Sequence, residues 1–298
     1  MSFVSLVRIA GSDFQRAITK SLDLINYEFD DAVARVVIKP NMCYYWDKST
    51  GQTTDPAFIG ALIEIIRKKT SNNVDIAIVE SDASAMKCRY AFRLLGYEKL
   101  AKDYGVRLVN LSEDKKKKAI VTVGEKIYSL LLPQTIAEAD LKINVPKIKY
   151  MDRSGIKITC ALKNLYGCIP YAKKFRYHPF LPEVIVAINK VMPFDLSIVD
   201  GNVVSGISPI KLKLVMASKD PVAIDVAAAK IAGENPRLIP YFSLAYREGI
   251  GNKSCIPVGE SIEYFKERYP RRTLRRKLMG IAYKAIVRTK LSNKIGLN

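Results

Sequence analysis

The pattern of apolar and polar residues along the chain predicts short buried strands that alternate with amphipathic helices. Apolar runs rich in β-branched residues cover residues 32–40, 74–80, 141–145 and 194–199, and such runs are typical of strands buried in a parallel sheet. The segments between them place apolar residues at helical spacing. We therefore predict an α/β fold, with a mostly parallel sheet flanked by helices.

Several helix starts are marked by residues that suit the first turn of a helix. Asp55 is followed by Pro56, and Asp220 is followed by Pro221. An aspartate can cap the amide groups of the first turn, whereas a proline has no amide hydrogen to leave unsatisfied there. Ser12 is the predicted cap of an earlier helix, so we expect helices to begin after all three of these caps.

Polar and charged side chains follow the predicted strands, at the points where the apolar runs end. The carboxyl ends of parallel strands meet at one edge of a sheet, which is where ligands bind in open α/β proteins. The segment 141–170 also sets several lysines in an apolar background, an arrangement that is costly unless an anion meets them. We predict an anion site at this edge. Its ligand-binding candidates are Lys39, Asn41, Thr54, Lys147, Lys149 and Asn164.

The same edge supplies candidates for chemistry on a bound ligand. The candidate catalytic residues are Asp55, Lys163, His178 and Asp200. Carboxylates and imidazole can move protons, and a lysine can act as a nucleophile when its surroundings lower its pKa. Carboxylates also suit a hard cation such as Mg²⁺, the one candidate cofactor, although no ligand set can be assigned. The first hypothesis is an enzyme acting on a small molecule that carries phosphate or carboxylate, with the reaction type left open.

Composition removes several classes of function. Walker A, GxGxxG, GxSxG and HExxH motifs are absent, and the single histidine excludes a multi-histidine metal site. The five cysteines are scattered and form no CxxC pair, which is typical of a reduced protein. Apolar runs are too short to span a bilayer, and the N-terminus lacks the pattern of a signal peptide. The expected compartment is the cytoplasm, with a membrane-peripheral location as a variant.

The net charge of +19 is concentrated toward the C-terminus. Residues 266–298 contain eleven Lys or Arg residues and one Glu, so this segment carries about half of the excess charge. Apolar residues recur there at helical spacing, which predicts a basic amphipathic helix over 271–298. Such a helix favours an anionic membrane surface or nucleic acid as partner, and its docking on the protein itself stays an alternative. We divide the chain into a body, 1–265, with a soft lobe boundary near 135–180, and a tail, 266–298.

Cys160 and Cys168 suggest a third hypothesis, a redox scaffold. They lie eight residues apart and flank Lys163. Their apolar neighbours favour buried, inert thiols over a reactive pair.

Six ordered blocks stand out along the chain: KPNM at 39–42, TTDP at 53–56, LKINVPKIK at 141–149, TCALKNLYGCIP at 159–170, IVDGNVVSG at 198–206 and KDPVAIDVAAAKIAG at 219–233. Together they resemble the signature segments of the domain of unknown function 362 family, over about residues 35–235. Many members of that family add a ferredoxin-like segment with closely spaced cysteines, which this chain lacks, so no iron–sulfur cluster is expected. Members usually have a histidine after the central lysines, where this chain has Tyr150, and His178 is a candidate for the histidine that follows the lysine–asparagine block.

Overall fold

The structure is a computed structural model that describes residues 1–42, 44–70, 73–153, 156–205 and 209–270. The predicted amphipathic helix over 271–298 lies outside the described residues. The last described helix ends at Arg268, and it contributes the buried side chain of Phe265 to the core.

Strands and helices alternate along the described part of the chain, as the sequence predicts. The strands are β1 Ser2–Arg8, β2 Arg35–Pro40, β3 Asp75–Glu80, β4 Arg107–Asn110, β5 Lys116–Val123, β6 Lys126–Pro133, β7 Leu141–Val145, β8 Lys149–Arg153, β9 Ile156–Thr159, β10 Leu196–Val204, β11 Ile210–Ser218 and β12 Cys255–Gly259. The α-helices are α1 Phe14–Asp23, α2 Pro56–Lys69, α3 Cys88–Leu94, α4 Tyr97–Tyr104, α5 Gln134–Ala137, α6 Ala161–Asn164, α7 Leu181–Val191, α8 Pro221–Ile231, α9 Pro240–Arg247 and α10 Ile262–Arg268.

Within the described residues, eight strands form one twisted sheet in the order β12-β1-β11-β10-β7-β2-β3-β4. Five of its strand pairs are parallel. The strand β11 runs against the others, because it pairs antiparallel with both β1 and β10. The prediction of an α/β fold with a mostly parallel sheet is confirmed.

Helices cover both faces of the sheet, and the side chains of β2 show how. Val36 and Ile38 pack in a core cluster with apolar residues of α1 and α2, whereas Val37 points to the opposite face and packs with α7 and α8. Successive side chains of a strand point to opposite faces, so an uninterrupted apolar strand requires a cover on each side. Two core layers therefore hold the sheet between them.

The predicted caps of α2 and α8 are confirmed, and the predicted cap of α1 is corrected. Asp55 accepts a hydrogen bond from the amide of Ala57 at 2.9 Å, and Asp220 caps α8 in the same way. The first helix is capped by Asp13 and not by Ser12, since the Asp13 carboxylate lies 2.9 Å from the amide of Arg16. A carboxylate placed three residues before an amide of the first turn satisfies that donor.

Two antiparallel hairpins lie outside the large sheet, one of β5 with β6 and one of β8 with β9. The first carries Lys116, Lys117 and Lys118, which are exposed on it. Charged side chains on such a strand discourage pairing with another chain.

Candidate functional site

The order of the strands reverses between β2 and β7. From β2 the chain continues to β3 on one side, and from β7 it continues to β10 on the other side. The crevice outside the carboxyl ends of two such strands is the usual ligand site of doubly wound α/β sheets. The residues KPN at 39–41 and NVPK at 144–147 occupy those two ends, so the predicted site residues lie at this switch point.

A chain of side-chain amides crosses the switch point. The Nδ2 atom of Asn41 donates to Oδ1 of Asn164 at 2.7 Å. The Nδ2 atom of Asn164 donates to Oδ1 of Asn144 at 2.7 Å and to the backbone oxygen of Lys39 at 3.2 Å. The ammonium group of Lys149 donates to Oδ1 of Asn41. Asn164 is therefore the hub that joins the ends of β2 and β7, and Lys149 is positioned at the outer end of the chain.

Thr54 fixes the backbone at the start of this network. Its hydroxyl accepts from the amide of Asn41 and donates to the carbonyl of Val145, at 2.9 Å in both cases. The hydroxyl of Tyr97 in turn donates to the carbonyl of Thr54 at 2.9 Å. All of these groups are buried or half-buried, so the hydrogen bonds are shielded from competing water.

Two buried ion pairs lie below the amide network. Lys39 Nζ lies 2.7 Å from Glu80 Oε2, and Lys147 Nζ lies 3.0 Å from Asp200 Oδ2. None of the four side chains is more than 3% exposed. A buried ammonium needs a nearby carboxylate to balance its charge, and each of these two lysines has one within the protein. Each pair therefore joins neighbouring strands at this edge.

The predicted acids Asp55 and Asp200 lie next to each other. The amide of Asp55 donates to Oδ2 of Asp200 at 2.9 Å, while the Asp55 carboxylate caps α2 and pairs with Lys48 at 2.9 Å. Asp200 also accepts from the amide of Asn202 at 3.1 Å. Hydrogen bonds and the chain itself therefore connect the two acids to Thr54, and through Thr54 to Asn41 of the amide network.

The remaining predicted residues lie beside the network. Lys163 directly precedes Asn164 on α6, is half-buried, and its Nζ lies 5.5 Å from the ring centroid of Tyr166. His178 is half-buried in the 3-10 helix Lys174–Phe180. The roles assigned to these two residues stay predictions.

Sequence reasoning missed a third buried lysine, Lys174. Its ammonium group donates to the hydroxyl of Ser81 and, at 3.1 Å, to the carbonyl of Gly167. Burial lowers the pKa of Lys174 to about 8, because the charged form loses its contact with water. The sequence placed Lys174 in a basic loop, KKFRYHPF, where solvent exposure is the ordinary expectation. Only its position next to the end of β3 sets it apart.

Gly167 shows how closely this region is packed. A Cβ atom added to Gly167 would meet Glu80 Oε1 and the Cε and Nζ atoms of Lys39, each at 3.0 Å. The backbone after α6 thus lies directly on the buried ion pair, and a side chain at this position would push it apart.

The two cysteines of the redox hypothesis are buried in the core. Burial raises the pKa of the Cys168 thiol to about 12 and holds the pKa of the Cys160 thiol well above its usual value. The thiolate is the reactive form, so these surroundings favour two inert thiols.

The candidate metal remains without an assigned site. Among the residues that the structure describes, no group of three His, Cys, Asp or Glu side chains is placed to hold a metal ion. The carboxylates of Glu80 and Asp200 instead meet lysines. A role for Mg²⁺ stays a prediction.

A groove at the opposite, amino-terminal edge of β2, β3 and β4 is lined by charged side chains. Arg107 binds Asp75 with two hydrogen bonds, of 2.9 and 2.6 Å, and Arg35 pairs with Asp140 at 3.5 Å. Each of these exposed cations is therefore balanced by a neighbouring carboxylate.

The family model named Domain of unknown function (DUF362) matches residues 36–230, well over half of the chain. The chain belongs to this family. The matched range contains every residue of the amide network and both buried ion pairs. The description of this family names no activity.

Two individual proteins are also similar. The chain is 30% identical over 142 residues to the "Thylakoid-associated protein sll1697" of Synechocystis sp. (strain ATCC 27184 / PCC 6803 / Kazusa). The matched region covers 43% of this chain and 44% of that protein. The chain thus spans less than half the length of this relative. The lactate racemase apoprotein from Thermoanaerobacterium thermosaccharolyticum overlaps 78% of this chain and 57% of its own, with 13% identity and a TM-score of 0.44. Within the described ranges, no helix combines the length and apolar character needed to cross a bilayer.

Proposed function

We propose that this protein binds an anionic small molecule, carrying phosphate or carboxylate, in the crevice at the carboxyl ends of β2 and β7, and that it acts on this molecule as an enzyme. The observation that carries the proposal is the contact between Lys149 and Asn41, which sets an ammonium group at the switch point of the sheet. A cation held in place by a buried amide network loses little entropy when it meets an anion. Lys149 is half-buried, so it remains within reach of a ligand.

The predicted cations then divide into two groups. Lys39 and Lys147 bind acids within the protein and hold the strands that form the floor of the crevice. Lys149 and Lys163 are half-buried and are the proposed contacts to the ligand. Asn41 can offer an amide to the same ligand, because it lies between Lys149 and Asn164.

Lys163, next to the amide hub, is the proposed nucleophile or proton carrier, with His178 as a second group that can transfer protons. Asp55 and Asp200 are proposed to hold the backbone of the site in place and to contribute negative charge to it, since both already accept hydrogen bonds from backbone amides. Mg²⁺ is proposed to arrive with a phosphate ligand, as it does where few protein ligands are available.

The alternative function is peripheral attachment to an anionic membrane or nucleic acid through the tail. The charge of +19 supports it, and so does the name of the relative from Synechocystis, which is described as thylakoid-associated. Both functions are compatible, because a basic tail can localise an enzyme.

Thermal unfolding of the full chain against phosphorylated metabolites, carboxylates and nucleotides, with and without Mg²⁺, tests the first proposal. A ligand at about one hundred times its Kd stabilises the protein by about 2.7 kcal/mol. The shift should disappear in Lys149→Ala and persist in Lys117→Ala, a change of an exposed lysine on the β5–β6 hairpin. Equal loss in both variants, or no ligand from any class, would reject the crevice as an anion site.

A ligand found in this way then becomes the substrate in an activity assay. Mass spectrometry of the incubated ligand distinguishes an enzyme from a binding protein, and Lys163→Ala should abolish turnover with a smaller effect on binding. For the tail, replacement of Arg271, Arg272, Arg275 and Arg276 by glutamine in the full chain should weaken binding to RNA or anionic vesicles but leave the thermal shift unchanged.

A further inference from the structure

Two loops at the carboxyl edge of the sheet present aromatic rings to solvent. Tyr44, Tyr45 and Trp46 follow β2, while Tyr171 and Phe175 follow the turn after α6. Trp46 is 47% exposed and Phe175 is 56% exposed. Large apolar side chains scattered singly need no explanation, but a group of them on adjacent loops indicates an interaction surface.

Hydrogen bonds attach each of these loops to the loop after β3. The amide of Lys87, from the loop after β3, donates to the Tyr45 hydroxyl at 2.9 Å. The hydroxyl of Ser84 donates to the carbonyl of Ala172 at 3.1 Å. The buried Lys174 ties the segment that carries Phe175 to the end of β3. The exposure of the rings is therefore a property of anchored loops, which we name the aromatic edge, residues 44–50, 81–90 and 171–180.

The aromatic edge is positively charged. Its acidic residues are Asp47 and Asp82, and Asp82 pairs with Lys87 at 3.1 Å. Its cations outnumber these acids and nearly all of them are exposed. Aromatic rings beside exposed cations are complementary to a surface that is negative outside and apolar below, as an anionic lipid bilayer is. The exposed cations are Lys48, Lys87, Arg89, Lys173 and Arg176.

The geometry of the rings separates a bilayer from single-stranded nucleic acid. Base stacking requires open ring faces. The Arg176 guanidinium lies 4.2 Å from the Tyr171 centroid, and the rings of Tyr44 and Trp46 pack on each other with centroids 5.3 Å apart. The Tyr171 ring therefore has one face occupied, whereas the interfacial region of a bilayer takes up aromatic side chains without stacking them.

We propose that the aromatic edge is a docking surface for an anionic lipid bilayer, with Trp46 and Phe175 entering the headgroup region. The surface belongs to the body of the protein, so it is distinct from the tail and does not depend on the identity of a small-molecule ligand. Because the aromatic edge surrounds the carboxyl ends of β2 and β3, docking would turn the crevice with Asn41 and Lys149 toward the membrane surface.

Trp46 makes the proposal directly measurable, since it is the single tryptophan of the chain. The full-length protein is mixed with vesicles made of phosphatidylglycerol and phosphatidylcholine in equal parts, and with pure phosphatidylcholine vesicles. On the anionic vesicles we expect a blue shift of the Trp46 emission and its quenching by lipids brominated near the headgroup. Phe175→Ser should weaken vesicle binding about tenfold, since an apolar ring no longer leaves water. Arg176→Gln should weaken it about fivefold.

The matched control is Ile120→Ser, which removes a similarly exposed apolar side chain from the β5–β6 hairpin and should bind like the wild type. Vesicle binding without a change in Trp46 emission would overturn the proposal, because the tail alone would then account for it. An equal response to pure phosphatidylcholine would overturn the role of charge. Quenching by a single-stranded oligonucleotide, with no response to either vesicle, would assign the surface to nucleic acid.

Discussion

The ammonium group of Lys147 and the carboxylate of Asp200 lie 3.0 Å apart, and each side chain is only 1% exposed. Lys147 follows β7 and Asp200 lies in β10, so the pair joins neighbouring strands at the carboxyl edge of the sheet. Asp200 also accepts a hydrogen bond from the amide of Asp55, the residue that caps α2. One carboxylate thus connects two strands and the loop that leads into a helix.

Loss of the charge on Asp200 should destabilise the fold strongly. Asp200→Asn keeps the size of the side chain and an acceptor for the Asp55 amide, but it leaves Lys147 buried without a counter-charge. We expect a loss of about 3–5 kcal/mol in the free energy of unfolding, measured by urea denaturation. Asp103→Ala, which breaks the exposed pair with Lys99, should change it by less than about 0.5 kcal/mol. Equal effects of the two substitutions would show that the buried pair contributes nothing special.

The sequence predicted the strands and helices well but not the order of the strands. β1 was missed, because its pairing with β11 and β12 joins residues more than two hundred positions apart, which local patterns do not report. The sequence does indicate the reversed direction of β11, through the length of the connection that precedes it. Residues 205–209 between β10 and β11 are too few for a parallel crossover, which takes about a dozen residues or more.

The amide hub is the second target. Asn164→Asp replaces the Nδ2 donor by an oxygen that faces Oδ1 of Asn144 and the carbonyl of Lys39, so acceptors meet acceptors. We expect a loss of about 1–3 kcal/mol in urea denaturation for the unsatisfied buried groups. Asn235→Asp is the matched control, because its exposed Oδ1 only accepts from Arg237 and aspartate does this equally well. A silent Asn164→Asp would mean that the hub amide is not needed.

Sequence reasoning found most residues of the site but not their partners. It identified Lys39 and Lys147 from their positions at strand ends, and their burial beside Glu80 and Asp200 depends on neighbouring strands. Asn144, the third amide of the network, sits inside an apolar run and was not singled out. An amide within a buried strand needs partners, and that was the available signal.

The thiols provide a test of the redox hypothesis. Cys88, Cys160, Cys168 and Cys255 are buried in the described structure, and burial raises the pKa of each. In a Cys43→Ser background we expect no reaction of the native protein with a thiol reagent on the timescale in which the urea-unfolded protein reacts completely. Fast labelling of Cys160 and Cys168 together, located by peptide mass spectrometry, would restore the redox pair.

Lys174 should make the fold less stable as the pH falls below 10.5, the pKa of an ordinary lysine side chain. Its pKa is lowered to about 8 from 10.5, so the folded protein holds this proton less tightly than the unfolded chain. The contribution to stability is complete above about pH 10.5 and is lost as the pH falls through about 8, by at most about 1.4 kcal/mol per pH unit.

The measurement is urea denaturation across this range for the wild type, Lys174→Met and Lys117→Met. Other groups titrate there as well, so the difference between the profiles carries the information. Lys117→Met, at an exposed position, should run parallel to the wild type. Lys174→Met should lose the rise in stability toward high pH, and a profile parallel to that of the wild type would show that Lys174 is charged in the fold.

Asp225 gives the opposite dependence on pH. Its carboxyl is buried in α8 and accepts from the amides of Ala161 and Leu162 at the start of α6, with the Tyr241 hydroxyl 3.5 Å away. Burial raises its pKa from 3.8 to about 8, although the amide hydrogen bonds act in the other direction. Between about pH 3.8 and pH 8, the folded protein therefore keeps a proton on Asp225 that the unfolded chain has released.

The stability due to protonated Asp225 is complete below about pH 3.8 and is lost as the pH rises through about 8. We expect Asp225→Asn, which is neutral at every pH, to remove a decline of up to about 1.4 kcal/mol per pH unit between these limits. Asp103→Asn, at an exposed position, should leave the profile unchanged. If the variant and the wild type lose stability in parallel as the pH rises, Asp225 is ionised in the fold and its amide contacts outweigh its burial.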